Sequence, residues 1–273
     1  MVIDTHTHVF PGEVIDARAY YAAADPVFGA LYGSSKSRLA GVEELLASMD
    51  SAGVGHSIIA GIAWATPKMC VTANNYLFEA VSRFPERLTA FVSVIPGSAE
   101  AADEVERCAQ AGARGIGELC PDTPGFDLAP VAATIEKYHL AVLLHVSEPV
   151  GHAYAGKGTA TPDKALALIR RYPDITFICA HWGGGLPFFS LMPEVKTALG
   201  NTYFDSAASP FLYDKSIYHR VVDLIGADKI LFGSDWPLID QARALAEIDA
   251  IDMDDRYKYQ IKHGNAAAIL GIK

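Results

Sequence analysis

Eight short runs rich in Val, Ile, Leu and Phe recur along the chain, at residues 1–8 (MVIDTHTH), 56–63 (HSIIAGIA), 87–95 (RLTAFVSVI), 113–119 (ARGIGEL), 141–147 (AVLLHVS), 175–181 (ITFICAH), 201–207 (NTYFDSA) and 229–236 (KILFGSDW). They lack the strict apolar/polar alternation of a half-exposed strand, which suits parallel strands covered on both faces. Between them, apolar residues return every three or four positions in segments such as 41–53, 69–84, 98–112, 161–172 and 215–226. That is the spacing of one buried helix face. Several of these segments end at Gly or shortly before Pro, as helices do. Strand and helix alternating eight times within 273 residues predicts a distorted (β/α)8 TIM barrel, with a doubly wound open sheet as the alternative. Residues 1–273 read as a single domain, without internal repeat, low-complexity tract or linker.

Three segments stand apart from that alternation. The tail, residues 254–273, predicts one or two C-terminal helices packed on the outside. Residues 9–40 predict a lid loop after strand 1 carrying Tyr20, Tyr21, Phe28 and Tyr32. The Gly-rich connection 148–160 after strand 5 carries His152, Tyr154 and Lys157. Long connections at the carboxyl ends of barrel strands form lids and substrate walls.

Composition narrows the partners. With 51% hydrophobic and 20% charged residues the chain can bury a large core. A formal net charge of −10 and a pI of about 5.3 argue against a surface built for nucleic acid or anionic lipid. A small anionic substrate stays compatible, because a pocket can be locally positive. Cys70, Cys108, Cys120 and Cys179 lie far apart and read as reduced, structural thiols. The chain enters strand 1 without a charged leader and holds no run of 18 apolar residues. A cytoplasmic protein acting on a small molecule is expected. The sequence leaves a homo-oligomer open.

Chemistry enters where these apolar strands end. In a strand, residues two apart face the same way, so His6 and His8 project together into the barrel mouth. Alone, H-x-H is a weak metal signal. It strengthens because Glu118 ends strand 4, His145 lies in strand 5, His181 ends strand 6 and Asp235 ends strand 8. Singly, each has a bland role, such as bonding a backbone carbonyl or, for Asp235, capping the next helix. A barrel converges all of them on one point above its core, where imidazoles and carboxylates hold a divalent cation. Asp4, one layer below the two histidines, and Asp205, at the end of strand 7, are candidates for bonds that orient the ligands.

The ordered motifs IDTHTH, GIGEL, HVSEP, HWGG and FGSDWP, spread from residue 3 to the GNAAAILG tail, resemble the amidohydrolase superfamily. More narrowly they resemble its amidohydrolase-2 group, which also contains decarboxylases. The resemblance implies a metal-dependent barrel in which His6, His8 and Asp235 bind a first ion, joined by His145 in one-metal members. His181 is then free to polarise substrate or shuttle a proton. In two-metal members a strand-4 carboxylate such as Glu118 bridges the ions, and His145 and His181 bind the second. One firmly held ion is expected, with room for a second. Zinc is the favoured metal for such a ligand set, with manganese or iron also fitting.

A bound dication lowers the pKa of its water from about 15.7 toward about 7. The expected activity is therefore hydrolysis of a C–N or C–O bond in a small amide, lactone or ester, with Asp235 moving the proton and His181 stabilising the oxyanion. The alternatives are non-oxidative decarboxylation or hydration of a small carboxylic acid, a nuclease similar to the TatD group, and a barrel that has lost activity and serves for binding.

One motif points elsewhere. Gly151 to Lys157 fits G-x-x-x-x-G-K, most of a phosphate-binding loop. The Ser or Thr that reaches Mg²⁺ is missing, since Gly158 follows, and Thr161-Pro162 marks a later helix start. Lys157, His152 and Tyr154 are instead expected to contact substrate, with Trp64, Trp236 and Phe211 as pocket walls. The run from His181 to Gly185 is expected to let backbone pass close to the site.

Overall fold

The computed structural model describes residues 1–123, 125–154 and 156–272. Its eight strands are β1 (Val2–Thr7), β2 (Val54–Ala60), β3 (Leu88–Val92), β4 (Gly115–Leu119), β5 (Ala141–Leu144), β6 (Phe177–Cys179), β7 (Thr202–Asp205) and β8 (Ile230–Leu231). They form one sheet in chain order, and every paired neighbour is parallel. The seam is bridged by backbone bonds from Thr5 N–H to Phe232 O (2.8 Å), His8 N–H to Trp236 O (2.7 Å) and Asp235 N–H to His6 O (2.9 Å). The barrel expected from the hydrophobic pattern is present.

Strand residues alternate between two apolar layers. Ile58, Phe91, Leu143, Ile178 and Leu231 point into the barrel. Ile59, Val92, Val142, Phe177 and Ile230 meet the surrounding helices. Each large side chain buried this way stabilises the fold by about 1.5–3 kcal/mol relative to exposure. Because both layers are apolar, the strands read as continuous hydrophobic runs.

The tail corrects one expectation. Residues Asp255–Tyr259, Gln260–Gly264 and Asn265–Leu270 follow one another as helical turns; the first lies on the outside as expected, with no buried residue, while the other two turn inward. Ala266 and Leu270 are buried against Ile3, Ile58, Phe91 and Leu231 in the inner layer. Asn265 ties this plug down by donating from Nδ2 to the carbonyls of Ala227 (2.8 Å) and Ile230 (2.7 Å). The segment closes one end of the barrel and leaves the chemistry to the other.

Residues 9–40 also differ from expectation: α1 (Gly12–Asp16), α2 (Arg18–Ala24) and α3 (Pro26–Tyr32) replace the predicted loop. Each is two turns or less, too short for a repeating apolar face to show in the sequence. Asp25 caps α3, accepting from Phe28 N–H at 2.9 Å, and its other oxygen accepts from Ala65 N–H at 2.7 Å beyond β2. Pro26 opens α3 with a preset φ. Phe28 is fully buried and stacks on Trp64, ring centroids 5.3 Å apart and planes within 9°. The lid is thus pinned by a buried carboxylate and an aromatic stack.

Candidate metal centre at the barrel mouth

His6 sits in β1 and His8 just beyond it, and their Nε2 atoms face each other at 3.1 Å. The other nitrogen of each ring is committed. His6 Nδ1–H donates to Asp205 Oδ2 (2.8 Å), and His8 Nδ1–H donates to the carbonyl of Ala60 (3.1 Å). These partners fix the tautomers, so both Nε2 atoms present lone pairs to the same space. Carboxylate oxygens complete the cluster. Asp235 Oδ1 lies 3.8 Å from His6 Nε2 and 3.5 Å from His8 Nε2. Glu118 Oε2 lies at 3.6 and 3.7 Å from the same two atoms. With His6 neutral these are acceptors facing acceptors, which repel unless a cation, either a metal ion or the proton that His6 Nε2 can take up, sits among them. The donor set therefore fits a divalent ion, and the ligand atoms of His6, His8 and Asp235 all lie within 4.8 Å of one another. A second such group, His6, Glu118 and His181, shares His6 Nε2. With Nδ1 engaged by Asp205, His6 can serve one ion only.

Local backbone explains how side chains from distant elements meet. His181 lies past the end of β6, in a left-handed turn at φ 58°, and Asp235 lies past β8 at φ 64°. Such conformations cost a non-glycine residue about 1–3 kcal/mol each and persist only when the surroundings impose them. Asp205 Oδ1 imposes the first, accepting from His181 N–H (2.9 Å) and Ala207 N–H (3.0 Å). Asp4 and the seam impose the second. Asp4 accepts from Ser234 N–H (3.0 Å), Ser234 Oγ–H (2.6 Å) and Gln241 Nε2 (2.8 Å), immediately before Asp235. Asp235 does not cap the following helix, because Asp240 does. His181 Nε2 reaches Asp235 Oδ2 at 3.4 Å. The glycine run after His181 serves a different neighbour than expected: a Cβ on Gly184 would lie 2.6 Å from the Ser147 carbonyl, so backbone packs on backbone there.

Electrostatics follow from burial and proximity. Burial opposes charge on His6, yet the carboxylates of Asp205 and Glu118 hold its pKa well above the ordinary value. Burial and the adjacent His6 lower that of His8. Burial likewise opposes charge on His181, but its contacts with Asp235 and Glu118 raise it. Glu118 and Asp235 are pushed up by burial and pulled below the usual carboxylate range by the histidines around them. Burial raises Asp4 to about 6, against its hydrogen bonds to Ser234 and Gln241.

The remaining residues singled out by sequence are placed as follows. His145 bridges Glu118 Oε1 (Nδ1, 2.9 Å) and Ser147 Oγ (Nε2, 3.0 Å), and stands outside both ligand groups. Lys157 is engaged within its own loop, its Nζ on the carbonyls of Val150 (2.7 Å) and His152 (3.0 Å) and on Glu148 Oε1 (3.1 Å). Tyr154 donates to Glu148 Oε2 (3.2 Å), and His152 is exposed beside it. Trp64 lies buried under Phe28, and Trp236 is buried with the Arg38 guanidinium 5.2 Å above its ring. Ser147, Ser234 and Gln241 support the centre and escaped sequence reading. Ser147 and Ser234 lie inside the quoted HVSEP and FGSDWP motifs, whereas nothing in the sequence marked Gln241.

A parallel barrel with imidazoles and carboxylates gathered at its mouth defines a metal-dependent barrel enzyme. The chain belongs to the amidohydrolase family, whose model Amidohydro_2 matches residues 3–272. A gamma-resorcylate decarboxylase of Polaromonas sp. is 28% identical in an alignment of length 246, with 71% of this chain and 73% of that protein covered. The solved 5-carboxyvanillate decarboxylase of Sphingomonas paucimobilis shares the fold at TM-score 0.79 and 21% identity, over 100% of this chain and 99% of that one. The dihydroxybenzoic acid decarboxylase of Polaromonas sp. JS666, solved with manganese and the inhibitor 2-nitroresorcinol, follows at TM-score 0.75 and 20% identity, over 99% and 97%. These relatives overturn the expectation of C–N or C–O hydrolysis. Metal-ligand residues alone do not separate the two reactions, because a divalent cation can activate water and can equally be ligated by carboxylate and phenolate oxygens. No helix among the described residues is long and apolar enough to cross a membrane.

Proposed function

We propose that the protein is a metal-dependent, non-oxidative decarboxylase of a small hydroxybenzoate. The observation that carries this reading is the buried cluster of facing acceptors from His6, His8 and Asp235, in a chain whose curated relative is a gamma-resorcylate decarboxylase. His6 Nε2, His8 Nε2 and Asp235 Oδ1 would hold one divalent ion, with Glu118 beside them. Manganese is favoured over zinc, in keeping with the manganese-bound neighbour and with a half-oxygen donor set. When bound, the ion supplies a positive charge for the phenolate and carboxylate oxygens of the substrate.

The chain's own residues then handle one proton. His181, with its protonated form favoured by Asp235 and Glu118, stores it 3.4 Å from Asp235 Oδ2. Asp235 Oδ2 delivers it to the ring carbon that bears the carboxylate. The electron pair of the bond to the carboxylate returns to the ring, CO₂ leaves, and the delivered hydrogen remains. The acid anion plus one proton becomes the arene plus CO₂, and water restores the proton through His181. The lid, fixed by Phe28 on Trp64, excludes bulk water that would compete for the ion and the proton.

Incubating manganese-loaded protein with 2,6-dihydroxybenzoate, 5-carboxyvanillate, and a panel of lactones and amides tests this. CO₂ and the matching phenol are expected from at least one acid. Turnover confined to the lactones or amides would refute it.

A further inference from the structure

Helix α3 lies across the barrel mouth rather than beside it. At one end Asp25 and Phe28 fasten it over β2, through Ala65 N–H and the Trp64 ring. At the other end Leu31 meets the connection that follows β5, where a Cβ on Gly156 would collide with Leu31 Cδ2. In the ring of strands β2 and β5 stand three places apart, so a helix touching both connections crosses the opening between them. Phe28 and Tyr32 are one turn apart on α3 and share a face, with ring centroids 5.4 Å from each other. Phe28 is fully buried, so that face is the one turned down toward the barrel. The Tyr32 ring also meets Phe10 edge-on at 4.8 Å, and Phe10 follows His8 by two positions. These two neighbours hold the Tyr32 side chain over the metal centre. Its hydroxyl forms no hydrogen bond among the described residues. Burial and the charges of Asp235 and Glu118 push its pKa well above that of an ordinary phenol. The group therefore keeps its hydrogen and stays a neutral donor, near enough to the centre to feel both carboxylates.

We propose that Tyr32 determines specificity by donating from its hydroxyl to the ring oxygen of the substrate that the metal ion does not hold. The inference rests on the decarboxylase reading above and says which hydroxybenzoates suit the site. An ion held by His6, His8 and Asp235 takes the carboxylate and one ortho oxygen of such an acid. A second ortho oxygen then faces away from the ion, beneath an aromatic lid, where an unmet polar group is costly. Phe10 and Phe28 offer it only ring surface, whereas Tyr32 offers a hydrogen. An acid with hydroxyls on both sides of the carboxylate is therefore preferred over one with a single hydroxyl, which leaves Tyr32 idle.

Turnover of 2,6-dihydroxybenzoate and of 2-hydroxybenzoate by the manganese-loaded chain, wild type against Tyr32→Phe, tests this. Phenylalanine keeps the ring packed on Phe10 and Phe28 and removes only the donor. For the dihydroxy acid KM is expected to rise about 2–10-fold, the worth of one neutral hydrogen bond, with kcat little changed. For the monohydroxy acid neither constant is expected to move; an acid that binds without turnover is followed by its inhibition constant instead. Equal losses on both acids mark a lid that is merely loosened and overturn the proposal, as do unchanged constants on both. A wild type that turns over neither acid counts against decarboxylation itself, and binding of 2-nitroresorcinol, read by its visible absorbance, then decides for Tyr32. Weaker binding by Tyr32→Phe at equal manganese content supports the contact; equal affinity, or no binding by the wild type, overturns it. Should Tyr32→Phe misfold by circular dichroism, hydrogen exchange of wild-type residues 26–32 decides. Protection there that rises with 2-nitroresorcinol supports the contact, and unchanged exchange refutes it.

Discussion

Replacing Asp205 by Asn keeps the side chain's size and removes its charge, and the geometry says what must follow. Asp205 Oδ2 accepts from His6 Nδ1 at 2.8 Å, while Oδ1 accepts from two backbone N–H groups, those of His181 (2.9 Å) and Ala207 (3.0 Å). An amide has one accepting oxygen. Facing the two backbone donors keeps two bonds, against one if it faces His6, so the –NH₂ turns toward His6. A donor there forces His6 to accept at Nδ1 and to carry its proton on Nε2. That proton occupies the lone pair that faces His8 Nε2 at 3.1 Å. The ion must then displace it. Loss of such an outer partner costs about 10–100-fold in metal affinity, equivalent to about 1.4–2.7 kcal/mol. Competition for Mn²⁺ against a chelating dye, on protein with native circular dichroism, reads this directly. An affinity within twofold of wild type would refute the tautomer argument.

Asp235→Asn is expected to lower CO₂ release by about 10²–10⁴-fold while metal binding is weakened rather than abolished. Unchanged turnover would remove Asp235 from proton delivery. Metal affinity is expected to rise with pH through the neutral range. The pKa of His6 is held above its ordinary 6.5 by Asp205 and Glu118, so a proton competes with the ion until the pH passes that raised value. The same shift gives the metal-free protein stability that is full below 6.5 and lost as pH rises through the raised value. Affinity that falls with pH over this range would contradict the assignment. Phe28→Ala, which empties a fully buried site stacked on Trp64, is expected to destabilise by about 3–5 kcal/mol. An unshifted melting temperature in scanning calorimetry would show the lid to be loose.

The barrel was legible because burial on both strand faces writes itself as apolar runs, and the ligand-type residues stood out as polar endings to those runs. Glu118 lies in β4, and His6 and His8 share the facing expected of residues two apart. The start of the helix Pro162–Arg171 was also readable, with Thr161 at its cap and Pro162 first. What escaped reading depends on long-range packing. The helices α1–α3 are each about two turns or less, too short for periodicity to show. The tail's role as a plug depends on Ala266 and Leu270 meeting Ile3 and Phe91, which no local pattern encodes. The left-handed turns at His181 and Asp235 arise from Asp205, Asp4 and the β1/β8 seam, contacts between residues far apart in the chain. Lys157 looked like a substrate contact because a basic residue in a Gly-rich loop suggests one, but Glu148 and two carbonyls engage it locally. The reaction was misjudged for a different reason. Either reaction would use an ion held by the same ligand set and a proton moved by Asp235, so the ligand pattern alone does not distinguish them.

The account rests on the acceptors of His6, His8 and Asp235 enclosing a cation. Elemental analysis of the protein purified with Mn²⁺, alongside a His6→Ala/His8→Ala variant that keeps its circular dichroism, tests this most directly. The account predicts one divalent ion per wild-type chain and none in the variant. Equal metal content in the two proteins, or a wild type that retains no ion after desalting, would contradict it.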